Sequence, residues 1–281
     1  MTLTSLASNK ILNTWALGKA SAASPSTPSA PGPIDPAAPT VFFLHGLGSS
    51  QNFYYALLEK YVLPKANAVL MDTEGSAQSP LSNPAVPPTA ESIIDDVYAV
   101  LSHYNISHDV TLVGHSMGGM LVLRAAEDPR GKGLVEKVIG VGPVHPSPGL
   151  GSVFGARIKA VEEAGNVLAL ADAISGGPAL GSAALPLHRA FVRALVSQQS
   201  APGYVAMCNV IVNSKPAQYD AIQQSVLLIT GAEDTSAPYK GCVEIIEQGL
   251  KNVKREVLEG VGHWHAIEAP EKVGELIANF L

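Results

Sequence analysis

At 281 residues the chain is long enough for one large domain with a sizeable core, and 47% apolar against 15% charged residues, with a mean hydropathy of +0.20, exclude disorder along its whole length. A net charge of −6 and a pI near 5.7 exclude a phosphate-binding surface of clustered lysine and arginine, so nucleic acid is not an expected partner. The two cysteines, Cys208 and Cys242, stand far apart with no CxxC spacing, which points to buried thiols rather than a zinc site or a disulfide framework.

Residues 1–24 are broken by Ser5, Ser8, Asn9, Lys10 and Asn13, unlike the unbroken apolar stretch of a secretory signal. No run approaches the ~20 apolar residues that span a bilayer. A cytoplasmic protein without a membrane span is the expectation. Lys10–Gly18, "KILNTWALG", alternates as an early strand. Lys19–Pro39 then carries six prolines, which prevent regular pairing, so 19–39 reads as a Pro/Ala/Ser-rich loop.

Beyond that loop, short apolar runs begin at Thr40 (TVFFLHG), Asn67 (NAVLMD), Asp109 (DVTLVG), Glu136 (EKVIGVG), Val226 (VLLITG) and Val253 (VKREVLE). Strands so uniformly apolar are covered on both faces, as in a parallel sheet. Helical patterns lie between them. Ile93, Ile94, Val97, Val100, Leu101 and Tyr104 form an apolar stripe behind Thr89 as N-cap, with Glu91, Asp95 and Asp96 towards the amino end. A last helix carries the same stripe at Val273, Leu276, Ile277 and Phe280, with Pro270 at its start. The alternation predicts a doubly wound, mostly parallel α/β sheet, whose ligands bind beyond the carboxyl ends of the strands. From about Pro146 to Ala217 only helical patterns occur, such as "GARIKAVEEAG" and "LHRAFVRALVSQ". The expected organisation is therefore a core of 1–145 and 218–281 with a helical cap at 146–217.

The chemistry centres on "VGHSMGGM", 113–120. Gly114, Ser116 and Gly118 form G-x-S-x-G, in which small residues let a strand turn sharply into a helix and leave a serine hydroxyl exposed at the joint. The amide of Met117 then stands at a helix amino terminus, where an unpaired N–H can face developing negative charge. A serine hydroxyl needs a base, and the base needs a group that fixes its tautomer. After "VLLITG" comes "AEDTSAP" with Asp234, and after "VKREVLE" comes "GVGHWHAIEAP" with His263. Glu233 competes with Asp234, and His265 with His263. Asp234 fits the strand end better, and the glycines before His263 suit a loop that reaches the nucleophile. A second amide donor is expected in the loop "HGLG", His45–Gly48, with the Leu47 N–H as partner to that of Met117.

These four stretches, "HGLG", "GHSMGG", "GAED" and "GVGH", fall in the order and at the strand ends that resemble the α/β-hydrolase superfamily over residues 40–281. "DTEGSAQS" from Asp72 also resembles that superfamily's D-x-R-G-x-G-x-S loop, with Glu74 in place of Arg and Ala77 in place of Gly. Within it the chain is most similar to 3-oxoadipate enol-lactonases and related small lactone hydrolases, through "ARIKAVEEAGNVLALADAI", "APGYVAMCNVI" and "YDAIQQSVLLITGAEDTSAP". The resemblance implies a serine hydrolase of a small-molecule ester or lactone, with Ser116, Asp234 and His263 as the catalytic triad, Leu47 and Met117 as the oxyanion hole, and neither metal nor organic cofactor. A carbon–carbon bond hydrolase using the same triad, or a ligand receptor that has kept the fold, are the alternatives.

The neighbouring residues carry plainer readings. His45 and His115 are expected to make structural hydrogen bonds, and Glu268 to balance the dipole of the last helix. Trp264 lines the pocket or packs the core. Arg157 pairs with a substrate carboxylate or is an exposed helical arginine.

Overall fold

The computed structural model describes residues 2–6, 10–19 and 33–281. Its centre is an eight-stranded sheet of β1 (Thr2–Ser5), β2 (Ile11–Leu17), β3 (Thr40–Leu44), β4 (Asn67–Met71), β5 (Val110–His115), β6 (Val135–Val141), β7 (Ser225–Gly231) and β8 (Val253–Leu258). The strands lie in the order β1-β2-β4-β3-β5-β6-β7-β8. β1 and β2 pair antiparallel with each other, as do β2 and β4; every pairing from β4 across to β8 is parallel. The doubly wound, mostly parallel sheet expected from the sequence is the one observed.

Strands β3, β4 and β5 are buried at every position because helices cover both faces. The period of two sorts their side chains: Phe42 and Leu44 enter one core, with Ile93 and Val97, while Val41 and Phe43 enter the other, with Phe53, Val273 and Ile277. β8 departs from the expectation of a doubly covered strand. It is the last strand of the sheet and only partly covered, which its consecutive Lys254, Arg255 and Glu256 accommodate. β1 was not legible in the sequence, since "TLTS" is short and polar; it is held by pairing to β2 and by a seam in which the Thr4 and Thr14 hydroxyls meet at 2.6 Å and Thr14 meets Tyr104 Oη at 2.6 Å.

The flanking helices are α1 (Ala90–His103), α2 (Met117–Glu127), α3 (Leu150–Ala164), α4 (Leu168–Gly176), α5 (Pro186–Ser197), α6 (Ala201–Asn213), α7 (Glu244–Gly249), α8 (His265–Glu268) and α9 (Pro270–Phe280). Thr89 caps α1 as its sequence suggests: its hydroxyl accepts from Ser92 N–H, and Ser92 Oγ accepts from Thr89 N–H. Between β6 and β7 the chain forms α3–α6 and no strand. Among the described residues no helix is long and apolar enough to cross a membrane. Residues 20–32 of the expected proline-rich loop lie outside the described residues. Its two described ends meet at Asn67, whose Oδ1 accepts from the N–H groups of Lys19 and Asp35.

The loop after β4, with Asp72, Glu74 and Ala77, is where the sequence departs from D-x-R-G-x-G-x-S, and the structure supplies a reason. Glu74 replaces the arginine and is met by Lys10, whose ammonium lies 3.0 Å from Glu74 and 2.9 Å from Asp96 of α1. Ala77 stands at φ +49, a conformation that glycine adopts with less strain. Asp72 organises the turn: Oδ1 accepts from Gln51 N–H, and Oδ2 accepts from the Asn13 side chain. Burial lifts the Asp96 carboxyl to about 6 even with Lys10 opposing it.

Lys10 therefore joins strand β2 to both α1 and the loop after β4, and it offsets two carboxylates that are each about 4% exposed. Replacing Lys10 by Met is expected to lower unfolding free energy by about 2–3 kcal/mol at pH 8 in urea titrations, because two buried charges lose their partner. Asp96 has a raised folded pKa, so its ionisation costs stability as pH rises. The loss in Lys10→Met is accordingly smaller at pH 5, where Asp96 is protonated. An equal loss at both pH values would contradict this account.

Candidate active site

Ser116 occupies the joint between β5 and α2 at φ +54, ψ −114, a conformation that costs about 1–3 kcal/mol for a residue with a Cβ. Backbone bonds hold it there. Its N–H donates to Val141 O at 3.0 Å, and its carbonyl accepts from the N–H groups of Met120 at 3.0 Å and Val144 at 3.3 Å. The turn is tight enough that a Cβ on Gly114 would stand 2.7 Å from Gly119 N, and one on Gly118 would stand 2.6 Å from His45 O. Both glycines of G-x-S-x-G are required by close backbone approach.

Asp234 and His263 reach Ser116 from the loops after β7 and β8, beyond the intervening β6. His263 Nε2 lies 2.9 Å from Ser116 Oγ, and His263 Nδ1 lies 2.8 Å from Asp234 Oδ2. Because the carboxylate only accepts, Nδ1 carries the proton and Nε2 is left to accept from the hydroxyl. Asp234 Oδ1 accepts from the N–H groups of Ser236 and Ala237, both at 2.8 Å, which fixes the carboxylate's rotation. Burial alone would push this carboxyl up, but the adjoining His263, through its charge and hydrogen bond, holds it far below the usual carboxylate range. Asp234 is thus an anion throughout the range in which proteins fold. Of the competing pairs, the structure brings Asp234 and His263 to the serine. Glu233 is exposed and accepts instead from Ser182 N–H and Oγ, at 2.7 and 2.6 Å.

The loop after β3 lies directly beside Ser116: a Cβ on Gly46 would stand 2.9 Å from that of Ser116. Leu47 follows in this loop and Met117 opens α2, so the expected pair of amides comes from two segments packed against each other. His45 and His115 make the structural bonds expected of them. His45 Nδ1–H donates to Gly46 O at 2.8 Å and its Nε2 accepts from Thr73 N–H, while His115 Nε2–H donates to His263 O at 2.7 Å. Burial lowers both imidazoles, and for His115 the nearby His263 and His265 lower it further, so both are neutral. Ligand nitrogens of His115, His263 and His265 lie within 4.8 Å of one another, the grouping with metal-binding chemistry among the described residues. The bonds above already engage both nitrogens of His263 and one of His115.

Trp264 is buried in an aromatic cluster, its ring 6.2 Å from Phe53 and 6.0 Å from His115, while Phe53 stacks on His115 at 4.2 Å. Arg157 is half-buried on α3, its guanidinium 5.3 Å above the Phe154 ring and close enough to Tyr204 and Cys208 of α6 to act on both. Cys208 is buried as its sequence suggests, and that burial pushes its thiol up to about 12. The helical segment α3–α6 is bonded to the loops after β3 and β4. Gln199 bonds Ser49 O and Ala77 N–H, and Gln198 bonds Ser50 Oγ. Ser116 is 7% exposed. A separate, open apolar cleft of about 480 Å³ lies behind Phe53, lined by Tyr55, Leu187, Phe191, Ile267 and Pro270.

Glu268 corrects the reading of a dipole-balancing residue. Its carboxylate is buried, and it accepts three backbone N–H groups: Trp264 at 2.8 Å, Gly262 at 3.0 Å and Gly181 at 2.7 Å. Two of these flank His263, and the third belongs to the segment joining α4 to α5. That segment also accepts His263 N–H on Ala179 O at 2.8 Å and gives Ala183 N–H to Gly260 O at 2.9 Å. Glu268 therefore fastens the histidine loop to the helical segment above it. The sequence signal was the spacing of five residues after His263, but acceptance by loop amides is a tertiary arrangement that the spacing alone does not express.

Residues 41–276 match the profile of the alpha/beta hydrolase family. Among solved structures, the chain is similar to an enol-lactonase from Burkholderia xenovorans LB400 (TM-score 0.83, 18% identity, covering 99% of each chain). It is also similar to an esterase from Exiguobacterium antarcticum (TM-score 0.82, 16% identity, 99% of this chain and 98% of the other) and to a hydrolase from Pseudomonas aeruginosa PA01 (TM-score 0.82, 18% identity, 99% and 97%). At these identities the likeness is one of fold.

The clamp at Glu268 makes a measurable claim. Glu268→Gln turns one acceptor oxygen into a donor that faces an N–H, so unfolding free energy is expected to fall by about 2–3 kcal/mol. Amide exchange at Gly181, Gly262 and Trp264 should quicken together. Unchanged exchange at all three would show that the clamp does not hold the loop.

Proposed function

This chain belongs to the alpha/beta hydrolase family, and we propose that it is a serine hydrolase that cleaves a carboxylic ester or lactone of a small molecule through an acyl-enzyme. The observation that carries this reading is the unbroken line from Ser116 Oγ to His263 Nε2, 2.9 Å, and from His263 Nδ1 to Asp234 Oδ2, 2.8 Å.

In this reading Ser116 Oγ attacks the carbonyl carbon while His263 Nε2 takes the hydroxyl proton, and Asp234 stabilises the imidazolium without itself becoming protonated. The carbonyl oxygen, now an oxyanion, is held by the amides of Leu47 and Met117, each worth about 3 kcal/mol in comparable sites. His263 passes its proton to the leaving alkoxide, which in a lactone stays attached to the acyl group. A water then gives its proton to His263, attacks the acyl-enzyme, and Ser116 is regenerated with release of the acid. Residues 146–217 act as a cap. Because it leaves Ser116 nearly inaccessible, substrate entry requires the cap to move, and Arg157 and Trp264 are the candidates for contacts with the part of the substrate away from the carbonyl.

Two outcomes test the reading. Ser116→Ala is expected to lower kcat on p-nitrophenyl acetate or a small-lactone panel by about 10³-fold or more, with the thermal transition retained. Undiminished turnover in that variant would sink the proposal. The pH profile of kcat/KM is expected to fall on the acid side along a single limb, because a general base must be unprotonated to take the serine's proton. Asp234, held far below the usual range, contributes no second limb there. A flat profile from pH 5 to 8 would count against His263 as base.

A further inference from the structure

His265 stands apart from the other members of the site. The imidazole is 0% exposed, at the first turn of α8, and neither nitrogen has a hydrogen-bond partner. Nearly all buried polar atoms in folded proteins are bonded, and leaving one bare costs about 1–3 kcal/mol, so its retention here needs a physical reason. Beside it lies Asp234. His265 Nε2 is 3.7 Å from Asp234 Oδ2, the same oxygen that receives the Nδ1–H of His263 at 2.8 Å. The chain clears room for this approach at Gly142, after β6, which sits at φ +51; a Cβ there would run into the His265 ring and stand 3.2 Å from Asp234 Oδ2. Two histidines, two residues apart, thus flank one carboxylate oxygen, while the other oxygen is filled by the amides of Ser236 and Ala237.

We propose that His265 is a positioning residue: its Nε2–H is aimed at Oδ2 of Asp234, so that the carboxylate is kept in line with His263 and part of its charge is engaged before His263 takes the serine proton. The proposal rests on the serine-hydrolase reading. At 3.7 Å the contact is longer than a hydrogen bond, but an N–H dipole directed at an anion in a dry interior interacts far more strongly than the same pair in water.

The groups that face His265 leave it this role. Asp234 approaches from the loop after β7, His263 from the loop after β8, and His115 from the end of β5, with ring centres 6.0 Å from His263 and 5.9 Å from His115. Glu268, on α8 itself, is turned to backbone amides, and the Cys242 thiol near Asp234 is pushed up by burial and stays neutral. Burial pushes His265 down to about 4, with the charge of His263 adding and with Asp234 and the nearby His263 backbone opposing. It therefore stays neutral wherever His263 works as a base, and it donates to the carboxylate without competing for the serine's proton. The sign of its effect follows. An Asp234 whose charge is partly engaged stabilises the imidazolium less. Without the donor the full charge of Asp234 bears on the imidazolium, and the acid limb of kcat/KM moves to higher pH.

Nitrogen-15 NMR of the wild-type chain tests the geometry without any turnover. The expected result is a proton on His265 Nε2, seen as a one-bond N–H coupling at the nitrogen nearest Asp234. A proton on Nδ1 with a bare Nε2 would overturn the proposal, whether or not the protein hydrolyses esters. Absence of hydrolysis in the wild type would instead strike at the functional reading alone. His265→Phe and His265→Gln then test the consequence. The acid limb of kcat/KM is expected about half a pH unit or more higher in the Phe variant, whereas the Gln amide, which can donate from the Nε2 position, restores the wild-type limb. Coincident limbs in the two variants, or a downward shift in Phe, would overturn it; if the Phe variant does not fold, the tautomer of the wild-type ring decides.

Discussion

Ser116 meets its partners only because the backbone passes through φ +54 at a residue that carries a Cβ. The strain persists because its surroundings over-determine it. Val141 O takes its N–H, two amides take its carbonyl, and glycines on either side allow β5, α2 and the loop after β3 to approach more closely than side chains permit. The same joint puts Met117 at the start of α2, beside the loop that carries Leu47. One backbone conformation thus fixes where the Ser116 hydroxyl can be, and the sheet order determines which strand ends bring His263 and Asp234 to it.

The second constraint is electrostatic. Asp234 is a buried anion among three imidazoles, and in a dry interior such a charge persists only when its oxygens are bonded. Oδ1 is bonded by two amides and Oδ2 by His263. His115 is held neutral by burial and by its two histidine neighbours, and His265 is pushed down to about 4. His263 is left as the imidazole with a partner able to compensate a positive charge. Its loop, in turn, is fastened by Glu268 to the chain between α4 and α5, so the helical segment and the loop carrying His263 are joined.

What was legible in the sequence follows from how locally each feature is encoded. β3 to β7 are apolar runs bounded by glycine or acidic turns, and their burial is a property of each run. The line Ser116, His263 and Asp234 was legible because strand-end loops in a parallel sheet all open on one edge, which brings together residues far apart in the chain. β1 was not legible, as four polar-edged residues form a strand only once β2 is present to pair with them. The exposure of β8 depends on its place at the sheet's edge, which no apolar pattern states. Glu268 was read as balancing a helix dipole and His265 as the competitor of His263, because what they face lies across the fold: the amides of Gly181 and Gly262 for the one, the carboxylate of Asp234 for the other. Spacing along a helix carries no record of such neighbours.

The central claim is that Ser116 is a nucleophile backed by His263 and faced by the amides of Leu47 and Met117. A crystal structure of the chain after reaction with a serine-directed phosphonate tests it most directly. The account predicts phosphorus bonded to Ser116 Oγ, its phosphoryl oxygen within hydrogen-bond distance of both amides, and His263 Nε2 adjacent to the esterified oxygen. Phosphorus on another side chain, or on Ser116 with its oxygen directed away from both amides, would contradict it.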